Sequence, residues 1–509
     1  MPVINDLGDS MTVYNINKGI GWSSSGVEYA QAYRDQVFRK LGLKAKFIFT
    51  DWIGYENIAH LTRNLGFEDR EIIWLYTFFT DFEVRAGSFT LSDLENVLPP
   101  ILERKPSNKM VRYLFANDFW ATAYLKDLKS DIVDRVEYVS GVNLVRKDYY
   151  SYGRYCSEFY APESNRAKLY QRRFYNEDGT VSYDEIIDGD LEVFKFKDEI
   201  LYSKHELLIK MLRELNFSKE DIILIDRAED QGQEILENRG EARLGAIVHA
   251  EHFSEAETND TTILWNNYYE YVFEHADQID FYVTATDLQK ELMEKQFLKY
   301  KGKKPKIYVI PVGSLKELKK PGFASRQPFS LVTASRLASE KHLDWAIRAV
   351  AKAKKDLPKL SLDIYGAGSE RSMLEDVIKE VGAEDYVHLK GHQQMDDIYQ
   401  HYQAYLTCST SEGFGLTLME AVGSGLAMVG FDVRYGNKTF IANNGLLLPY
   451  DRLATVSEYV NEMSQAIVKL FSSDLASMSD KSYAIASKYN NNQVTKLWRK
   501  AIESELNHD

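Results

Sequence analysis

Cysteine is nearly missing: Cys156 and Cys408 are the two in 509 residues, far apart in the chain. Such usage leaves no disulfide framework and no zinc-like spacing, and it points to a reducing, cytoplasmic compartment. Long apolar runs are missing too, since none approaches the ~18 residues that suggest a membrane-spanning helix. The opening residues carry Asp6 and Asp9 without an apolar stretch, which reads as no signal peptide. Positive charge is in deficit, with 62 Lys and Arg against 76 Asp and Glu, a net charge of −14. No nucleic acid and no strongly anionic lipid surface is therefore expected as the main partner, although local basic grooves stay open.

What is present is otherwise ordinary for a soluble globular chain: 44% hydrophobic and 27% charged residues. The length exceeds a single core and implies two to four domains. The unusual feature is aromatic, 33 Tyr and 25 Phe, crowded before residue 300. Residues 1–10 read as a disordered lead. Met11–Ile16 and Lys46–Phe49 read as strands, joined by a glycine- and serine-rich bend and a helix from about Val27. That bend would leave N–H groups at Gly26, Val27, Glu28 and Tyr29 for an anion or a sugar hydroxyl, though a plain βα turn reads equally well. From residue 54 to 204 short aromatic or alternating runs follow, among them Val111–Phe115, Ala121–Leu125, Val136–Val139, Tyr149–Tyr155, Lys168–Tyr175 and Glu192–Phe196. Asn176-Glu177-Asp178-Gly179 marks a hairpin turn, so this reads as an antiparallel meander inserted into an α/β domain, with edges and faces suited to a protein partner.

The α/β pattern resumes with a helix at His205–Leu215. Strands follow at Ile222–Asp226, Ala246–His249, Phe281–Thr284 and Ile307–Ile310. His249-Ala250-Glu251-His252 closes the second of these at a carboxyl edge, where open parallel sheets bind ligands. His249 is the candidate there, with a buried structural histidine as the competing reading. Its spacing from His252 does not fit a helical zinc motif and no third ligand is evident, so no metal is expected. After a Lys/Pro/Gly-rich linker, Lys316–Pro328, the strand Phe329–Ala334 leads into Arg336 and Lys341, two cations suited to a diphosphate. Further strands are expected at Leu360–Tyr365, Tyr386–Leu389, Ala404–Thr407 and Met428–Phe431. The last helix, Val494–Leu506, has Asn491 and Asn492 as cap candidates.

The stretch Ser409-Thr410-Ser411-Glu412-Gly413-Phe414-Gly415-Leu416-Thr417-Leu418-Met419-Glu420-Ala421 lies between one of these strands and a helix. Its glycines allow backbone N–H groups at Gly413, Phe414 and Gly415 to approach a ligand, and the new helix points its positive end the same way. Glu412 and Glu420 could accept protons from sugar hydroxyls on either side. Spacing alone does not separate this from a βα turn with two solvated glutamates.

Glu-x7-Glu in the Ser-Glu-Gly-Phe-Gly context, together with Arg336-x4-Lys341, resembles the signature of retaining, nucleotide-sugar-dependent family-four glycosyltransferases of the GT-B fold. The pattern from Met11 onward is similar to the catalytic subunit of the O-GlcNAc transferase that primes serine-rich repeat adhesins in the accessory Sec system of Gram-positive bacteria. The resemblance implies an α/β GT-B fold, two Rossmann-like domains facing a cleft, with an antiparallel β-sheet insertion in the first. Its expected parts are residues 1–53 and 205–315 for the N-terminal domain, 54–204 for the insertion, 316–485 for the nucleotide-sugar domain and 486–509 for a helix crossing back. It implies transfer of GlcNAc from UDP-GlcNAc with no metal cofactor. Arg336 and Lys341 would hold the diphosphate, Glu412 and His249 the sugar and Glu420 the ribose diol, while the backbone at Gly391 and His392 would read the uracil. Attack from the leaving-group face, with the departing phosphate taking the acceptor proton, is implied by the same likeness. The implied partners are a homologous non-catalytic chaperone subunit and a Ser/Thr-rich acceptor protein. The implied place is the cytoplasm, with peripheral association at the inner membrane face. The competing readings are a family-four transferase for lipid or small-molecule acceptors and a non-catalytic chaperone paralogue.

Overall fold

The structure is a computed structural model that describes residues 11–21 and 26–507. The expected lead at 1–10 and the middle of the first bend, 22–25, lie outside the described residues. The chain forms two compact units, one of residues up to 24 and 43–244, the other of residues 25–42 and 245 onward.

In the first unit β-branched and aromatic runs too short for helices become parallel strands. Thr12–Asn17 pairs with Ile222–Ile225 on one side and Lys44–Phe49 on the other, and Lys44–Phe49 pairs with Ile72–Trp74. The meander is a ten-stranded sheet that pairs neighbours in sequence order, from Glu103–Ser107 to Ile200–Leu201. Its expected start at residue 54 is corrected, because the helix Ile58–Leu65 and the parallel strand Ile72–Trp74 precede it. The expected strand Tyr149–Tyr155 is two strands, Asn143–Tyr150 and Arg154–Glu163, since aromatic residues continue through the turn between them.

The tyrosine and phenylalanine surplus joins these parts. Trp52 stacks on Trp74 at 5.3 Å, Tyr76 on Phe174 at 5.9 Å and Phe174 on Tyr183 at 4.4 Å. Among them Arg172 lies over the Trp52 ring at 4.9 Å and bonds Glu158 and Glu185, both at 2.9 Å. Burial pushes the Glu185 carboxyl up to about 7 against the pull of Arg172.

The second unit holds the parallel strands Phe281–Thr284 and Ile307–Val309, with the strand Arg243–Val248 belonging to it from residue 245 onward. It also holds a six-stranded parallel sheet ordered Val387–Gly391, Ser361–Tyr365, Ser330–Ala334, Ala404–Leu406, Ala427–Phe431, Gly445–Leu448. Leu343, Ile347 and Val350, expected on one helix face, are buried in its core. The segment read as a linker is structured: Arg326 is buried and donates to the Tyr402 and Ser424 carbonyls. The last helix, Asn491–Leu506, packs on Gly26–Leu41, with the Phe38 and Trp498 rings 5.3 Å apart. Asn490 caps it, not Asn491 or Asn492, whose amide oxygens instead accept from Lys40. Among the described residues no helix is long and apolar enough to cross a membrane.

Candidate active site

The turn after Ala404–Leu406 is built by close backbone approaches. Gly415 has φ +83° and opens the helix Leu416–Gly423, a conformation a side chain would strain. A Cβ on Gly413 would stand 2.2 Å from the His249 carbonyl oxygen, so only glycine lets these two strand-end loops touch. Phe414 is buried against Phe440 and Tyr489, with ring distances of 5.1 and 5.8 Å, and offers a ligand only its backbone.

Glu412 is fixed from both sides. Its N–H donates to the Arg434 carbonyl at 3.1 Å, and its own carbonyl accepts from Tyr435 and Gly436 at 2.5 and 2.9 Å. Its carboxylate meets Lys341 Nζ at 2.8 Å, both side chains being largely buried. Arg336, by contrast, is more than half exposed and pairs with Glu340 at 2.9 Å. Lys341 is thus already at Glu412, whereas Arg336 is exposed and paired with the exposed Glu340.

The other expected residues lie in the same unit, Gly391-His392 and His249 at strand ends and residues 26–29 and Glu420 on helices. Gly391, with φ +75°, accepts from the Gly366 N–H at 2.9 Å, and a Cβ on Gly366 would stand 1.8 Å from the Ser335 carbonyl oxygen. The Gly391-His392 backbone therefore joins the loop that carries Arg336, and the His392 side chain is exposed. In the helix starting at Gly26, Val27 and Glu28 are buried and Tyr29 is exposed. Burial, then the nearby Glu420 and Glu28 charges, raise the Tyr29 hydroxyl pKa.

Glu420 accepts from Tyr33 Oη at 3.5 Å. Burial, with Asp396 adding to it, pushes its carboxyl up to about 7, although the nearby Tyr399 and Tyr33 hydroxyls pull it down. The His249 and Ala250 N–H groups both donate to Tyr269 Oη at 2.9 Å. The second histidine of that motif, His252, is fully buried between Gln296 and Tyr435. Tyr33 and Tyr399 were missed by sequence reasoning because single aromatics in an aromatic-rich chain carry no pattern.

A parallel α/β sheet with Arg-x4-Lys and Glu-x7-Glu at its strand ends, in a chain with a second set of parallel strands, defines a GT-B glycosyltransferase. The model of glycosyl transferases group 1 matches residues 315–490, and that of the GtfA extended beta-sheet domain matches residues 103–198. The UDP-N-acetylglucosamine–peptide N-acetylglucosaminyltransferase GtfA subunit of Streptococcus agalactiae is 51% identical, over 98% of this chain and 99% of that one. The crystal structure of the pneumococcal O-GlcNAc transferase GtfA in complex with UDP and GlcNAc matches with a TM-score of 0.94 and 49% identity, over 98% of this chain and 99% of that one. A crystal structure of a GtfA/B complex matches with a TM-score of 0.89 and 49% identity, over 97% of this chain and 99% of that one. The chain belongs to the family of the GtfA subunits of UDP-N-acetylglucosamine–peptide N-acetylglucosaminyltransferases.

Proposed function

We propose that this chain transfers GlcNAc from UDP-GlcNAc, with retention, to Ser/Thr hydroxyls of a serine-rich repeat surface protein before its export. It would act in the cytoplasm, with peripheral association at the inner membrane face, as the catalytic subunit beside a homologous chaperone subunit. The relatives are named as peptide N-acetylglucosaminyltransferases, which favours a protein acceptor over a lipid, and one relative's structure is of a complex with a second component. The 2.8 Å pair of Lys341 with Glu412 carries the reading. A buried cation beside a sugar-binding carboxylate is ready to take the diphosphate charge as it develops, without reorganising.

In the proposed step the acceptor hydroxyl attacks the anomeric carbon from the side of the leaving group. The new carbon–oxygen bond forms as the bond to the β-phosphate breaks, and the phosphate takes both the electron pair and the acceptor proton. Lys341 and Arg336 stabilise the departing diphosphate in place of a metal ion. Arg336, free to leave Glu340, swings onto it once the donor is bound. Glu412 and His249 hold the sugar, Glu420 the ribose and the Gly391-His392 backbone the base.

Labelled UDP-GlcNAc and a Ser/Thr-rich peptide, supplied with the co-expressed partner, test this. Glu412→Gln and Arg336→Ala should each lower transfer by at least ~10²-fold, the loss typical of removing one electrostatic stabiliser. A chelator should leave the wild-type rate unchanged. Full transfer by the double variant, or a rate lost to chelator and restored by manganese, would overturn the reading.

A further inference from the structure

The Glu412 turn is tied to the loop that carries His249 by a buried chain of side chains. Tyr435 Oη lies 3.0 Å from His252 Nδ1, and His252 Nε2 lies 2.6 Å from Gln296 Oε1. Tyr435 is 1% exposed and His252 0%, so neither end can exchange its partner for water. The Gln296 oxygen can only accept, so Nε2 carries the hydrogen, and Nδ1 is left with a lone pair that accepts from the tyrosine. Burial depresses the His252 pKa to about 4, which keeps this neutral form across physiological pH.

Each end is anchored to a part of the site. Tyr435 and Gly436 donate their N–H groups to the Glu412 carbonyl, and the Arg434 carbonyl accepts the Glu412 N–H. At the other end Asn266 donates to the His252 carbonyl through its backbone and to the Glu251 carbonyl through its amide, and Gln289 donates to the Ala250 carbonyl at 2.7 Å. Arg434 adds an outer tie, with Glu251 at 2.5 Å and Glu255 at 2.9 Å. Buried, fully partnered chains of this kind fix one geometry, because any break strands a polar group away from water.

We infer that His252 and Tyr435 are positioning residues: the one-way hydrogen bond from Tyr435 into His252 sets the Glu412 turn against His249, where the donor sugar is held. This rests on the reading of Glu412 as a donor-sugar group. Neither residue need touch substrate; they act through the backbone of Glu412. The nucleotide half of the site, at Glu420 and Gly391-His392, hangs on other contacts.

The test uses the full chain with its co-expressed partner and compares Tyr435→Phe, His252→Phe, His252→Asn and Glu412→Gln. Tyr435→Phe should lower kcat for transfer at least tenfold while the Kd for UDP stays within twofold. His252→Phe should do the same. His252→Asn, whose side-chain oxygen can replace Nδ1 as acceptor, should recover most of the lost rate. Nitrogen-15 NMR of the imidazole should show Nε2–H with an accepting Nδ1, unchanged from pH 5.5 to 8. Wild-type kcat in Tyr435→Phe, equal losses of kcat and UDP affinity, or an Nδ1–H tautomer would overturn the inference. If Glu412→Gln is inactive while Tyr435→Phe is intact, only this inference falls; if Glu412→Gln transfers fully, the reading beneath it falls.

Discussion

Glu420, proposed to hold the ribose, would couple ligand binding to pH. Its carboxyl pKa is raised to about 7, by burial first and Asp396 second, with Tyr33 and Tyr399 as polar neighbours. The sign follows from which form is favoured. A carboxyl raised in the folded state holds its proton at pH 6, and ribose hydroxyls donate best to the ionised form, so in the proposed role of Glu420 nucleotide binding must first expel that proton. UDP affinity should therefore rise about tenfold between pH 6 and 8, flattening above the folded pKa. Calorimetric titrations across that range check it, and in Glu420→Gln the rise should disappear. The same shift makes the free carboxyl a burden on the fold. Its contribution is harmless below the unfolded value and becomes destabilising as pH climbs to 7. An affinity that is flat in the wild type would mean that Glu420 is ionised throughout or away from the ribose.

At the scale of elements, the Glu412 turn and the His249 loop are held in contact by a missing side chain. Gly413→Ala would place a methyl group 2.2 Å from the His249 carbonyl oxygen, and backbone on both sides leaves nothing flexible to yield. Overpacking of this kind costs about 1–3 kcal/mol. We expect that loss in urea unfolding, with at least a tenfold loss of transfer, because relief must move Glu412 or His249. A fully active, equally stable Gly413→Ala would show that the loops do not touch. Elements were the most legible layer of the sequence. Apolar runs foretold five strands of the six-stranded sheet to within a few residues, while Gly445–Leu448 was not expected, and the Arg336-x4-Lys341 and Glu412-x7-Glu420 spacings carried the expectation of a site. The misses share a cause, which is local ambiguity settled by distant contacts. Three consecutive asparagines could each cap the last helix, and Lys40 engages Asn491 and Asn492, leaving Asn490 as the cap. Tyr435 and His252 are 183 residues apart, so neither reveals the other without the fold.

At the scale of the molecule, the aromatic surplus determines how the antiparallel sheet can be studied. Composition showed that Tyr and Phe were concentrated early in the chain, but not that they join two kinds of sheet within the first unit. Trp52, Trp74 and Tyr76, from the parallel part, pack on Phe174 and Tyr155 of the meander, and Tyr183 Oη donates to the Tyr76 carbonyl at 2.7 Å. Arg172 belongs to both, bonding two carboxylates of the sheet while covering the Trp52 ring. Excising residues 103–201 would therefore uncover several large rings at once, among them the buried Trp74 and Tyr76, each such fully buried side chain being worth about 1.5–3 kcal/mol. Surface of that extent drives association. The excised chain should elute as aggregate, bind a hydrophobic dye and lose cooperative melting, whereas the full chain melts cooperatively. Loss of partner capture in such a deletion would then report the fold of the first unit and not the partner's footprint, so capture has to be measured with point substitutions in the full chain. A deletion variant that stays monomeric and melts cooperatively would show instead that the parallel part closes its own core, and that the sheet is an appended module.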